Sequence, residues 1–300
     1  MLAQDTLRTL QPVDKFEPAD GYFIQRMALA PDGKTLLVVC QDDSAVLWDL
    51  GGRKPARSLP GPETLDAQFV GDGRRAVTVS GKNVILWDTA DARMLRTLAL
   101  NGDDLVVPVA THDGRVLAIG QGSTLSLWDL NSGRRLAERE AGTGGRVERM
   151  SLSSDGRWLA VRFLTMLRLF AMPALTPGAE WDFRDYLGAA VFSADSQRLL
   201  LGEKEQVALY DLAGKQLARV PGPTQALFAA VALLRDGDTF IAGNNWDDIW
   251  RFGSLGKGGF VAQTDALKVA GVALSPDHRR AYVGGGGTVY TFDLAGVSKG

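Results

Sequence analysis

A short motif recurs seven times along the 300 residues of this chain. Each copy holds an apolar run, a turn built on aspartate, two further apolar runs and an aromatic residue. The seven turn aspartates are Asp32, Asp72, Asp113, Asp155, Asp195, Asp236 and Asp277. Their intervals of 40 to 42 residues lie within the range of repeats that form the blades of a β-propeller.

A second column of residues keeps the same period, because an aromatic residue follows each turn aspartate by 15 or 16 positions. These aromatic residues are Trp48, Trp87, Trp128, Phe170, Tyr210, Phe252 and Phe292. Apolar alternation within each copy predicts four strands, and the aspartate side chain is expected to bond its own turn backbone. We therefore expect an all-β fold, a seven-bladed β-propeller of four-stranded antiparallel blades, as one domain over residues 1–300.

Three of the aromatic residues carry a family signature. Trp48, Trp87 and Trp128 are each followed by aspartate, and on these dipeptides the chain resembles the WD-repeat β-propeller family over essentially its whole length. Phe170 and Phe252 lack the aspartate, and no Gly-His dipeptide precedes an inner strand. The resemblance implies a rigid ring that binds a protein or peptide. The departures imply blades held mainly by apolar packing, without the family's buried Asp-His-Ser/Thr-Trp network.

The two ends of the chain are expected to meet. After Leu294 too few residues remain for the outer strand of the seventh blade. Residues 7–10 repeat the Leu-Arg-Thr-Leu of residues 95–98, the outer strand of the second copy. We therefore predict that residues 7–10 form an N-terminal strand that completes the last blade and removes its open edge, the alternative being a disordered tail.

Composition excludes several classes of partner. A formal net charge of -2 offers no bulk attraction to nucleic acid or to anionic lipid. The longest uncharged stretch, residues 220–234, is too short to span a bilayer, and Asp5 and Arg8 argue against a signal peptide. We expect a soluble cytoplasmic protein, or a periplasmic one if a leader was removed. The excess of arginine over lysine is typical of a G+C-rich, bacterial genome.

Signals for catalysis and for metal binding are sparse. His112 and His278 lie in turns of repeats that are not neighbours, and exposed turn residues are the better interpretation of both. Cys40 is expected to be a small buried hydrophobe. The chain has no G-x-S-x-G elbow and no P-loop, and the Asn-Asn-Trp-Asp-Asp run of residues 244–248 matches no calcium loop. We predict no catalytic residue, no metal and no cofactor.

The strongest binding candidate is Trp246, because Trp250 and Phe252 already fill the core positions of its repeat. By the family's geometry, it shares a face with the long connection that enters the fifth blade. That connection contributes Phe183, Arg184 and Tyr186. Exposed aromatic residues with arginine dominate binding hot spots, although some of these side chains alternatively fold back onto the blades.

A polar group is expected where inner strands reach the central channel. It consists of Arg26, Asp66, Glu148 and Arg149. These charges either pair structurally or grip a peptide. The leading hypothesis is a non-catalytic protein or peptide interaction scaffold. A lyase-type or hydrolase-type enzyme at the channel mouth is the alternative, and a sensor module built on residues 244–248 is a third hypothesis.

Overall fold

The computed structural model describes residues 7–18, 22–42, 44–61, 64–102, 104–142, 145–183, 187–295 and 297. Strands and turns make up this part of the chain, which holds no helix. The strands form seven antiparallel sheets arranged as the blades of a propeller, as the repeat predicts. Two short strands precede the blades, namely β1 (Arg8–Thr9) and β2 (Asp14–Phe16).

The first four blades each contain four consecutive strands, named here from the inner to the outer strand. Blade one consists of β3 (Ile24–Leu29), β4 (Thr35–Cys40), β5 (Ala45–Asp49) and β6 (Lys54–Leu59). Blade two consists of β7 (Thr64–Val70), β8 (Arg75–Ser80), β9 (Asn83–Asp88) and β10 (Arg93–Ala99). Blade three consists of β11 (Val106–Ala110), β12 (Val116–Gln121), β13 (Thr124–Asp129) and β14 (Arg135–Glu140). Blade four consists of β15 (Arg149–Leu152), β16 (Trp158–Arg162), β17 (Met166–Ala171) and β18 (Thr176–Asp182).

The last three blades follow the same order, except that the seventh takes its outer strand from the N-terminal segment. Blade five consists of β19 (Ala190–Phe192), β20 (Arg198–Glu203), β21 (Gln206–Asp211) and β22 (Gln216–Pro221). Blade six consists of β23 (Phe228–Leu233), β24 (Thr239–Asn244), β25 (Ile249–Ser254) and β26 (Gly259–Ala266). Blade seven consists of β27 (Gly271–Leu274), β28 (Arg280–Gly285), β29 (Thr288–Asp293) and β2.

The seven aspartate turns join the inner strand of each blade to the second strand, and they define what we call the lower face. In every one of these turns an aspartate oxygen accepts the backbone N–H two residues later, at 2.9 to 3.1 Å. The residue after the aspartate has a positive φ in each turn, a conformation that favours glycine. These residues are Gly33, Gly73, Gly114, Gly156, Ser196, Gly237 and His278. The expected turn chemistry is therefore confirmed in all seven copies.

These turns make the fold sensitive to acid. Burial opposes ionisation of Asp155, but hydrogen bonds from Ser153 Oγ at 2.7 Å and from the Arg157 backbone at 3.0 Å lower its pKa to about 2. An unfolded aspartate has a pKa of about 3.9. Because the folded pKa is the lower one, the ionised carboxylate stabilises the fold above about pH 4 and that stability is lost as the pH falls toward about 2.

We therefore expect the melting temperature to fall between about pH 5 and about pH 2, and to fall less steeply in the Asp155→Asn variant, which has no proton to gain at this turn. Differential scanning calorimetry across this range measures the effect. Equal pH dependence in the variant and the wild-type protein would contradict this account of the turn.

The opposite end of the blades, which we call the upper face, is formed by the connections that enter the inner strands and by the turns between the second and third strands. Backbone hydrogen bonds join these connections between neighbouring blades. The Ile24 N–H donates to Gly286 O at 2.7 Å, and the Leu267 N–H donates to Asp248 O at 2.6 Å. The upper face is therefore a continuous surface tied together across blade boundaries.

The N-terminal segment closes the ring, as predicted, but with a different strand. β2 pairs antiparallel with β29, whereas β1 pairs parallel with β26 in blade six. The Leu-Arg-Thr-Leu repeat at residues 7–10 therefore adds to the edge of blade six and does not complete blade seven. The pattern of residues 7–10 is typical of an edge strand, but it does not indicate which blade the strand joins. Side-chain packing selects blade six, because Leu10 packs into the core between blades six and seven.

β2 also joins the last blade to the first. Phe16 stacks on Trp48 of blade one with ring centroids 5.1 Å apart and planes 10° from parallel. Asp14 forms an ion pair with Arg53, which follows β5. The inner strands β27 and β3 lie against each other at the same junction. The closing strand thus contacts both sides of the boundary between blades seven and one.

Apolar packing holds neighbouring blades together, as the missing Gly-His dipeptides predict. Val79 and Leu86 of blade two, for example, share one buried cluster with Leu117 and Ile119 of blade three. The Asp-His-Ser/Thr-Trp network of the WD-repeat family needs a histidine that no Gly-His dipeptide supplies here.

Part of that network persists in two blades. Trp87 Nε1 donates to Thr78 Oγ1 at 2.8 Å in blade two, and Trp128 Nε1 donates to Ser126 Oγ at 2.8 Å in blade three. A strand hydroxyl is enough to satisfy the indole, so the tryptophan bond survives without the family's histidine.

Candidate binding face and channel mouth

The upper face exposes a ring of large apolar side chains on five of the seven blades. They are Tyr22 (50%), Phe23 (46%), Leu65 (39%), Leu105 (40%), Leu164 (50%) and Trp246 (70%), with the exposed fraction of each residue in parentheses. We call this set the apolar ring. Within the described ranges, the other exposed large apolar residues lie on the N-terminal segment and on outer strands, and none lies in a lower-face turn. The two faces therefore differ sharply in character.

Trp246 is held out into solvent by a rigid turn, as expected for a residue with no core position. The side chain of Asn244 is fully buried, and its Oδ1 accepts the N–H groups of Trp246 at 3.0 Å and Leu227 at 3.1 Å. Its Nδ2 donates to Asp247 Oδ1 at 2.9 Å, and Asp247 forms a two-pronged ion pair with buried Arg251. These polar groups are thus used to build the turn, which supports a turn role over a cation site.

The other aromatic candidates divide into two groups. Phe183 is half-buried and packs edge-to-face on Tyr210, with centroids 6.0 Å apart and planes at 85°. Phe183 therefore takes the alternative of folding back onto its blade, and it is not an exposed anchor. Arg184 and Tyr186 lie outside the described residues.

The predicted polar group forms at the upper end of the channel. Arg26 Nε on β3 lies 3.9 Å from Asp66 Oδ2 on β7. Arg149 on β15 lies close enough to both residues to interact with them electrostatically. Glu148 instead accepts a hydrogen bond from Arg146 Nε at 2.7 Å.

A fifth charged residue joins this group from the neighbouring strand. Arg162 on β16 pairs directly with Arg149 in the strand register, is only 6% exposed, and donates from Nη1 to Leu187 O. Arg162 was not among the residues predicted from the sequence. The available signal was a charged residue that ends the apolar run of residues 159–161. Three arginines thus meet at the channel mouth.

These arginines line one wall of a cavity of about 250 Å³ in the channel. The opposite wall consists of small apolar residues from blades five to seven, among them Ala189, Ala230 and Gly271. At this cavity Arg26 Nε and Ser151 Oγ are buried and have no hydrogen-bond partner within the described chain. The cavity is therefore basic on one side and apolar on the other.

Burial changes the acid–base properties of the channel mouth. It raises the pKa of Asp66 despite the guanidinium groups of Arg26 and Arg149 beside it. Burial together with the positive charges of Arg26 and Arg162 lowers the pKa of Arg149 to about 10. Arg149 stays protonated at neutral pH, and burial is the largest cause of its lowered pKa.

The apolar ring is mostly a finding of the structure. Of its six members the sequence singled out Trp246 alone. Leu105 is 40% exposed, although Ile24 and Val147, which precede or begin the inner strands of other blades, are buried. Leu105 lies just before β11 begins, where the connection still faces solvent.

The histidines occupy lower-face turns. His278 has a positive φ, and its Nδ1 accepts the Arg235 N–H of blade six at 3.2 Å. Burial and the charge of Arg235 lower the pKa of this histidine. His112 is exposed. Across the described ranges, no three His, Cys, Asp or Glu side chains gather in a way that could hold a metal ion.

One further finding concerns membranes. Within the part of the chain that the structure describes, no helix has the length and apolar character needed to cross a bilayer.

Comparison with known proteins gives partial similarities. No protein-family model matches the chain. Telomerase protein component 1 of Rattus norvegicus is 28% identical over 144 residues, which cover 47% of this chain and 6% of that protein. Protein groucho of Drosophila melanogaster is 23% identical over 145 residues, covering 46% of this chain and 20% of that protein. Transducin-like enhancer protein 2 of Mus musculus is 23% identical over 149 residues, covering 46% and 19% respectively.

The chain thus spans no more than a fifth of the length of these curated relatives, and each match covers about half of the chain. This similarity agrees with the sequence repeat and with the blades of the structure. The Trp-Asp dipeptides, the seven four-stranded blades and the tryptophan bonds to strand hydroxyls all point the same way. In its dipeptides, its seven blades and these partial matches, the chain is similar to the WD-repeat β-propeller family.

Proposed function

We propose that this propeller is a non-catalytic interaction scaffold that binds a protein or peptide segment on its upper face. The observation that carries the proposal is the apolar ring, six exposed large side chains on one face of the propeller. Exposed apolar surface of this kind marks interaction sites in folded proteins. The lower face is polar by comparison, since its turns are built from aspartate, glycine and basic residues.

The composition and rigidity of the ring suit a binding surface. Tryptophan and tyrosine are the residues most enriched in hot spots, and Trp246 and Tyr22 are both at least half exposed. The Asn244 and Asp247 hydrogen bonds fix the Trp246 turn before a partner arrives, so that little ordering is needed on binding. The arginines at the centre add directional polar contacts.

An enzyme at the channel mouth is the competing proposal, and the raised pKa of Asp66 is the observation that favours it. A carboxyl with a raised pKa holds a proton more readily than an ordinary aspartate, as a general acid must. Against it, Asp66 is engaged by Arg26 and by the Ala67 N–H at 2.8 Å, and Glu148 is engaged by Arg146. In the scaffold proposal, Asp66 and Glu148 therefore hold the neighbouring arginine side chains in place.

Affinity capture from a lysate of the source organism tests the proposal. The proteins captured by a variant of the upper face are compared with those captured by a variant of the lower face. We expect proteins retained by the wild-type protein to be lost in a Leu65→Glu, Leu105→Glu double variant, because charge on the apolar ring prevents apolar contact. A lower-face double variant, Arg74→Glu and Arg115→Glu, serves as the control and should retain them. Both arginines are more than three-quarters exposed, so the control should fold normally.

Two outcomes would contradict the proposal. The first is capture that survives the upper-face substitutions and is lost in the lower-face control. The second is turnover of a small-molecule substrate that disappears in Asp66→Asn, which would establish the enzyme in place of the scaffold. Quantitative mass spectrometry and substrate panels provide the two readouts.

A further inference from the structure

We propose that β1 covers the outer edge of blade six, and that this edge, once uncovered, pairs with the same edge of a second copy of the chain. The edge belongs to β26, the outer strand of the blade itself. It lies on the circumference of the propeller and not among the connections of the upper face. The inference is therefore independent of the proposed function, and it names a second interaction surface whose partner is this same chain.

Blade six carries one strand more than the other blades of the described chain. Its order is β1, β26, β25, β24 and β23, whereas each of the other six sheets has four strands. The extra strand also differs in direction. β1 pairs parallel with β26, whereas β26 pairs antiparallel with β25 on its other side. β1 is thus an addition to a blade that already has its four strands.

The other six outer strands carry residues that protect a sheet edge. Natural edge strands avoid pairing with another chain when they contain charged residues, above all lysine, or proline. Each of these six strands contains lysine, arginine or proline. They are Lys54, Pro55 and Arg57 in β6, Arg93 and Arg96 in β10, Arg135 and Arg139 in β14, Pro177 in β18, Arg219 and Pro221 in β22, and Lys15 in β2.

β26 contains none of these three residue types. Its eight residues nevertheless make it the longest of the seven outer strands. Residues 259–264 carry no charge, and Asp265 is the one ionisable residue of the strand. Uncharged segments with residues such as Phe260 and Val261 pair readily with other strands. The least protected outer strand is therefore the one that β1 covers.

β1 covers this edge with few contacts. Arg8 lies opposite Ala262 and Thr9 opposite Gln263, and the Leu10 N–H donates to Gln263 O at 2.7 Å. Both strand residues are exposed, so Arg8 places a positive charge on the outer side of the blade. Parallel pairing is slightly less stable per residue than antiparallel pairing. A longer antiparallel strand can therefore replace β1 on this edge.

A second copy of β26 suits the uncovered edge. Gln263 O points away from β25, since it accepts the Leu10 N–H, and it becomes available when β1 leaves. Two identical antiparallel strands pair about a two-fold axis. An axis at Ala262 sets Val261 opposite Gln263, and an axis at Gln263 sets Val261 opposite Asp265. Neither register opposes like charges, which would destabilise the pair. Because each copy uncovers one such edge, assembly stops at two copies.

Two variants uncover the edge and test the inference. One is the deletion of residues 1–11, and the other is Leu10→Asp in the full chain, which removes the apolar anchor of β1 in the core between blades six and seven. We expect both variants to dimerise at least roughly tenfold more tightly than the wild-type protein, because β1 no longer competes for the edge. Sedimentation equilibrium across the micromolar concentration range measures the dissociation constants.

A lysine on β26 identifies the edge that pairs. In the deletion variant, Gln263→Lys should weaken the dimer roughly fivefold, because the lysines of the two copies lie opposite or diagonal to each other. Gln216→Lys makes the same change at an exposed position of β22, the outer strand of blade five, and should leave the dimer unchanged. Hydrogen–deuterium exchange should slow in the dimer at residues 260–265 and stay the same in β22.

Three results would overturn the inference. The first is that both uncovered variants stay monomeric at every concentration. The second is open-ended aggregation in place of a dimer, which an assembly with one edge per copy does not allow. The third is a dimer that Gln263→Lys leaves intact. If one of the two uncovered variants does not fold, the other decides the test alone.

Discussion

Replacing Trp246 with alanine should weaken binding of the partner about thirtyfold or more and leave the thermal stability of the propeller almost unchanged. The side chain is 70% exposed, and a surface substitution typically changes stability by within about 0.5 kcal/mol. A hot-spot aromatic residue typically contributes about 2 kcal/mol or more to binding. Titration calorimetry with the captured partner and thermal unfolding of the free protein measure the two effects.

Met94→Ala is the matched control, because Met94 is 54% exposed and lies on the outer strand β10, away from the upper face. It removes a large exposed apolar side chain without touching the apolar ring, so binding should stay within about twofold of the wild-type value. A larger loss in Met94→Ala than in Trp246→Ala would place the partner on the side of the blades.

Deleting residues 1–17 should destabilise the propeller by about 3 kcal/mol or more. The deletion removes β2, the Phe16 stack on Trp48 and the Asp14 ion pair with Arg53, and it exposes the edge of β29. Burial of a large apolar side chain and an aromatic pair together account for an effect of about this size. The expected fall in melting temperature is roughly 5–10 °C, measured by calorimetry.

Deleting residues 1–11 alone provides the comparison. It removes β1, which adds a two-residue parallel strand to β26 in blade six, and it leaves β2 in place on blade seven. We expect this shorter deletion to cost clearly less than the longer one. Equal effects of the two deletions would show that the edge of blade six, and not closure of blade seven, limits stability.

The repeat determines the fold because its turn chemistry is local. Each turn aspartate bonds the backbone two residues later, so one residue type at one spacing is enough to mark seven turns. Ser196 and His278 show that the turn tolerates a residue other than glycine at positive φ. The number of blades and their strand order therefore followed from spacing alone.

The sequence predicted that an N-terminal strand completes blade seven, but it did not predict which strand. Edge pairing depends on contacts between residues that are far apart in the sequence. Residues 7–10 carry the alternation of an outer strand, and alternation is the same at every edge. What places β2 on blade seven is the stack of Phe16 on Trp48, a contact across the boundary with blade one. A single sequence does not reveal which pair of distant aromatic residues will meet.

The sequence predicted the one residue of the candidate site that has no core position to fill. It did not predict the residues whose exposure depends on the packing of the blades. Trp246 had no place left in the core of its repeat, and it is the most exposed member of the apolar ring. Tyr22 and Leu164 sit in short connections whose exposure depends on how neighbouring blades pack. Arg162 was overlooked because it ends a strand that is otherwise apolar, and its position opposite Arg149 is set by strand register.

Hydrogen–deuterium exchange of the propeller with its captured partner tests the central claim, that the upper face is the binding surface. We expect partner binding to slow exchange in the upper-face connections at residues 22–27, 104–107 and 245–249. Exchange in the lower-face turns at residues 32–35 and 113–116 should stay unchanged. Protection confined to the lower-face turns, with the upper-face connections unaffected, would contradict the account.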